Sequence, residues 1–93
     1  RPNGYVLSDM DTPVWNSEVS TIQIKDNAPV AGKTIKEMEL RKKHGVTILL
    51  VKRGDQILYN PDADTMLLPG DWVFAFGEPA KLSGASALFD SHA

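Results

Sequence analysis

Arg41, Lys42, Lys43 and His44 are four consecutive side chains able to carry positive charge. A guanidinium such as that of Arg41 can grip a phosphate or carboxylate through two parallel hydrogen bonds. Anion binding is therefore one chemistry open to this chain. The competing reading is a solvated helix end whose cations answer the negative pole of the helix dipole, with Arg41 in a salt bridge to a glutamate. His44 is a candidate pH switch by residue type, but one such group per chain shifts a population weakly. The acidic residues Asp62, Asp64 and Asp71 lack the central glycine and terminal glutamate of a calcium-binding hand, and their loop includes Pro61, so they read as turn formers. Asp71 is expected to bond within its own Pro69-Gly70-Asp71 turn. Trp72, Phe74 and Phe76 alternate with Val73 and Ala75, an aromatic strand face that either stacks on a base or packs in a core or dimer. No nucleophile stands beside a base, no carboxylates pair, and no histidines cluster at metal-ligand spacing. The expectation is a protein that binds and couples, with no catalytic residue and no metal site.

The elements that must position these residues are short. Residues 1–17 fit no period for long and read as a linker or arm. From Glu18 to Lys25 a period-2 pattern rich in β-branched residues predicts a strand. Asp26 to Pro29 is a turn, and Thr34 with Glu37 three residues later writes a capping box. Glu37 and Glu39 come early in the following helix and the cations late, and Gly45 can take the left-handed stop. Ile35, Met38 and Leu40 share no single stripe at about 100° per residue, so either the helix breaks near Leu40 or both its sides are covered. Val46 to Val51 is an apolar run of the kind found in a strand covered on both faces. Gly54-Asp55 separates it from Gln56 to Tyr59 as a tight hairpin would. Met66 to Leu68 is a short bridge, Trp72 to Phe76 the last strand, and Gly77 its end. Pro79 opens a closing helix in which Leu82, Ala85 and Phe89 share a face; residues 90–93 are expected to fray. The order β-α-β-β-β-α gives an α+β domain over 18–89 with a small, mainly antiparallel sheet and two helices.

Composition bounds the rest. A chain of 93 residues supports one domain with a modest core, which makes a dimer a sensible way to finish it. The net charge of −2 leaves no broad basic footprint, so nucleic acid is not expected as a partner. There is no cysteine, which excludes disulfides and fits a reducing compartment. No apolar run approaches the roughly 18 residues of a membrane span, and no signal peptide is written at the start. Because the chain opens on Arg1, it reads as a piece of something longer.

One group of short signals falls in a familiar order: Ala31-Gly32-Lys33-Thr34-Ile35 with Leu40-Arg41, then Gly45-Val46, Arg53-Gly54, Asn60-Pro61, Asp64-Thr65, Leu68-Pro69-Gly70-Asp71, and Gly77. Over roughly Val19 to Leu82 this resembles the TrkA-C domain, the C-terminal domain of regulators of potassium conductance. The resemblance implies a homodimeric regulatory module on the cytosolic face of a cation channel, antiporter or other transporter. It commonly follows a nucleotide-binding domain, which this sequence lacks, having no Gly-x-Gly-x-x-Gly after a strand. Some members bind cyclic di-AMP in the dimer cleft through two apolar residues, an Asp, an Arg, and an Asn followed by two aliphatics. Laid on this chain the pattern matches Ile35, Arg41, Ile48 and Leu49, and departs at Lys36, at Glu39 for Asp and at Thr47 for Asn. The ligand set it implies is Ile35, Arg41, Thr47, Ile48 and Leu49. The alternative is a structural dimerisation module of a transporter that binds nothing small.

Overall fold

A computed structural model describes residues 16–91; most of the expected arm, and residues 92 and 93, lie outside it. Strand β1 (Glu18–Gln23) leads through a turn to two short helices, α1 (Ile35–Met38) and α2 (Leu40–His44). Strands β2 (Thr47–Arg53) and β3 (Gln56–Tyr59) then form the expected hairpin, with Arg53 opposite Gln56 across Gly54-Asp55. Strand β4 (Trp72–Gly77) is followed by helix α3 (Pro79–Ala85) and a 3-10 turn over Ser86–Phe89. The strands form one sheet in the order β1-β4-β2-β3. Every pair in it is antiparallel.

The period-2 rule sorts the sheet into two faces. Ile48, Val51, Val73 and Ala75 point to one side, where Leu40, Leu82, Ala85 and Phe89 cover them, with Ile24, Val30, Val46 and Leu67 closing the core. Leu82, Ala85 and Phe89 are all buried, as their shared face requires. On the other side the register places Val19, Thr21 and Gln23 beside Phe76, Phe74 and Trp72, and these beside Thr47, Leu50 and Lys52. No described element packs on that side: Val19, Trp72 and Tyr59 are exposed, and Leu50, Phe74 and Phe76 half-buried. Among the described residues strand β2 is therefore covered on one face only, a correction to the two-sided burial its apolar run suggested. The aromatic alternation of β4 is the same fact seen from the neighbouring strand.

Candidate functional site

The capping box forms as written. The Thr34 hydroxyl accepts the Glu37 N–H at 3.1 Å, and the Glu37 carboxylate accepts the Thr34 N–H at 2.8 Å. That N–H first, and second the Thr34 hydroxyl, which also donates to the carboxylate at 3.1 Å, hold the Glu37 carboxyl below the usual glutamate range. The helix then breaks at Glu39, which adopts φ 47° and ψ 46° and closes α1 by donating its N–H to the carbonyls of Ile35 and Lys36. A left-handed residue between two helical ones redirects the axis. Leu40 is thereby buried while Ile35 and Met38 pack at the core's margin, which resolves the missing stripe in favour of a break. Glu39 keeps its carboxylate near the cations of the next turn, 3.2 Å from the Lys43 ammonium and 4.0 Å from that of Lys42. Arg41 has no ion-pair partner among the described residues.

Helix α2 stops at Gly45, whose φ of 69° lets its N–H reach the Arg41 carbonyl. Val46 N–H bonds the Leu40 carbonyl at 3.1 Å, and β2 starts one residue later. This close junction places α2 beside the first residues of β2. The third wall is the loop after β3. Its Ala63 and Thr65 carbonyls accept the N–H groups of Lys36 at 2.8 Å and Ile35 at 3.0 Å, so the loop is stitched to the free N–H groups at the start of α1.

Between these three walls lies a hollow of about 160 Å³ lined by Ile35, Leu40, Arg41, Val46, Thr47, Ile48, Pro61 and Ala63. Four of the five residues singled out from the sequence, Ile35, Arg41, Thr47 and Ile48, meet there. Leu49 does not line it; it sits at the register shift between Ile48 and Leu50 and offers its carbonyl to Asn60 N–H at 3.0 Å. Sequence reasoning missed Leu40, Pro61 and Ala63 as lining residues, while Val46 belongs to the Val46 to Leu49 stretch it set against the effector. The Asn60-Pro61 signal was visible, but its return against α1 is tertiary. Chemically the hollow offers one guanidinium, one hydroxyl and an aliphatic floor. That set suits an anionic group joined to a flat or apolar one.

The other polar constellations resolve as structure. The Asp62 carboxylate accepts the Asp64 N–H at 3.1 Å and the Thr65 hydroxyl at 3.3 Å, as a turn former does. No three acidic or histidine side chains among the described residues gather to hold a metal ion. Asp71 does bond within its turn, accepting Leu68 N–H at 3.0 Å, but it also receives Arg53 through Nε at 2.9 Å and Nη2 at 2.7 Å.

The profile of the TrkA-C domain matches residues 19–90. The chain is 39% identical over 59 residues to potassium channel protein 1 of Methanocaldococcus jannaschii, covering 63% of this chain and 18% of that protein. Against the Ktr system potassium uptake protein C of Bacillus subtilis it is 28% identical over 68 residues, covering 73% of this chain and 31% of the relative. It therefore spans less than a third of either relative's length. Among solved structures, the C domain of the potassium transport protein KtrA, in complex with cyclic diadenosine monophosphate, aligns with a TM-score of 0.70 at 20% identity, over 78% of this chain and 84% of that one. No described helix is long and apolar enough to cross a membrane.

Proposed function

Because the chain belongs to the TrkA-C domain family, a family of regulatory and not enzymatic modules, and its relatives include potassium channel and potassium uptake proteins, we propose that it senses a small anionic effector for a cation channel or transporter. The reading places the domain on the cytosolic face of that transporter. Cyclic di-AMP is the effector we favour. The observation that carries this is the convergence of Arg41, Thr47, Ile35 and Ile48 on one hollow, in a chain of the fold whose KtrA relative was solved with that dinucleotide.

Size indicates how the site is completed. Ligand pockets usually enclose about 300–1,000 Å³, so a hollow of about 160 Å³ is half a site. A second copy related by a two-fold axis supplies the other half, and a dinucleotide with two equivalent ends matches such an axis. Regulation follows if the ligand favours one angle between protomers over another, since equal affinity for both would shift nothing. Titration calorimetry with cyclic di-AMP and with mononucleotides tests the proposal. Binding by the wild-type chain, weakened about 10- to 100-fold by Arg41→Ala through loss of a charge-assisted pair, is the expected result. A wild-type chain that takes up no nucleotide overturns it.

A further inference from the structure

The third wall of the Arg41 hollow, which carries Pro61 and Ala63, lies in the run between β3 and β4 and has no helix or strand of its own. Its shape depends on how its ends are tied. At the near end Asn60 N–H donates to the Leu49 carbonyl at 3.0 Å. At the far end Met66 forms an isolated antiparallel bridge with Thr34, Gly32 N–H donates to the Leu67 carbonyl at 2.7 Å, and Leu67 N–H donates to the Lys33 carbonyl at 2.8 Å. A side chain joins this far end to the sheet. Arg53, the last residue of β2, donates through Nη2 to the Met66 carbonyl at 2.8 Å, and through Nη2 and Nε to the Asp71 carboxylate at 2.7 Å and 2.9 Å.

We propose that Arg53 is a positioning residue for this hollow: it does not line the hollow, and through the Met66 carbonyl it holds the wall that carries Pro61 and Ala63. The proposal rests on the reading of the hollow as an effector site. Strand β2 puts Thr47 and Ile48 into the hollow at its start and Arg53 at its end, so the clamp fixes one wall relative to another. Asp71 fixes the clamp. With both carboxylate oxygens engaged by Nε and Nη2, the planar guanidinium cannot turn, and the second Nη2 hydrogen is left aimed at Met66. From Met66 the restraint passes back along the loop, where the Thr65 carbonyl accepts Ile35 N–H at 3.0 Å and the Ala63 carbonyl accepts Lys36 N–H at 2.8 Å. Those two N–H groups open α1 and have no partner inside the helix, so their protection reports whether the wall is in place. A wall that must be ordered at the moment of binding costs affinity. A lysine offers one point charge on a flexible stem and does not reproduce the fork.

Amide hydrogen exchange on the ligand-free chain and calorimetric titration with cyclic di-AMP test this together. In Arg53→Lys, exchange at Ile35 and Lys36 should quicken by about tenfold more than at the amides of β4, a strand paired on both sides. Affinity for cyclic di-AMP should fall by about 3- to 10-fold. Should the lysine variant fail to fold, Arg53→Met combined with Asp71→Leu leaves no unpaired charge and no donor for the Met66 carbonyl, and should give the same two changes. Arg41→Ala should weaken binding with the Ile35 and Lys36 amides unmoved, as befits a residue that touches the ligand. Unchanged exchange at Ile35 and Lys36 in a folded Arg53 variant overturns the proposal, and so does faster exchange with undiminished affinity. Exchange quickened equally along β4 overturns it too, because Arg53 would then act on the fold as a whole. A wild-type chain that takes up no cyclic di-AMP overturns the effector reading instead, and the ligand-free exchange still decides whether Arg53 holds the wall.

Discussion

Asp71 is 2% exposed, and a carboxylate so placed must be matched by donors. Arg53 supplies two of them, Leu68 N–H a third, and the same Arg53 Nη2 also donates to the Met66 carbonyl at 2.8 Å. The hydrogen bonds to Asp71 hold the Arg53 guanidinium above its already high pKa. Taking away Arg53 leaves the carboxylate buried with one partner, so Arg53→Met should destabilise the domain by about 3 kcal/mol, as for a broken buried pair. Adding Asp71→Leu should restore part of that loss, because no unpaired charge then remains. Urea titration of the two single variants and the double variant measures both; a single-variant cost below about 1 kcal/mol would mean that water already serves the pair. The sequence assigned Asp71 to its own turn, and the Leu68 bond agrees. Arg53 was not legible as its partner because the two lie 18 residues apart and meet only through the β2–β4 register, one step beyond Lys52 opposite Trp72.

At the scale of elements, the junction between α2 and β2 depends on a pair of glycines. Gly45 takes a left-handed φ that ends the helix, and a methyl group on Gly77 would stand 2.9 Å from the Gly45 carbonyl oxygen. That oxygen belongs to backbone and cannot swing aside. Gly77→Ala should therefore cost about 1–3 kcal/mol, the usual cost of overpacking, and should displace the α2 end that carries Arg41. Thermal unfolding reads the first effect, and backbone amide shifts along 41–47 read the second; a stable variant with unmoved shifts would show that the junction has slack. Local chemistry made most of these elements legible: the Thr34-Glu37 box, the Gly45 stop and the Gly54-Asp55 hairpin formed as their residues demand. The break at Glu39 was half-legible. Leu40 falling off the stripe signalled it, but a glutamate held left-handed is a conformation that tertiary packing must enforce. Of the hollow, the α2 and β2 residues could be read from local pattern, whereas Pro61 and Ala63 arrive through loop hydrogen bonds to α1 that no local period encodes.

At the scale of the whole molecule, the fold is closed from its far end. Strand β1 pairs with β4, some fifty residues later in the chain, so the sheet is complete only when both are in place. The segment after β4 then returns across β1: Lys25 N–H meets the Phe89 carbonyl at 2.9 Å, and Val30 N–H meets the Leu88 carbonyl at 3.0 Å. The Phe89 ring, 1% exposed, belongs to the same core cluster as Ile24, Val30 and Val73. With no other described element on the opposite sheet face, this one layer carries the burial seen among the described residues. A domain of this size holds roughly 5–10 kcal/mol of net stability, and emptying a phenylalanine site costs about 3–5 kcal/mol. Phe89→Ala retains both backbone bonds and removes only the ring. Its urea midpoint should therefore fall by close to half while the slope, which follows the surface exposed on unfolding, stays the same. A loss under about 1 kcal/mol would place the structural weight elsewhere. A lowered slope would mean that the C-terminal turn had detached before the sheet unfolded, splitting a layer that the β1 and Phe89 contacts describe as one cooperative unit.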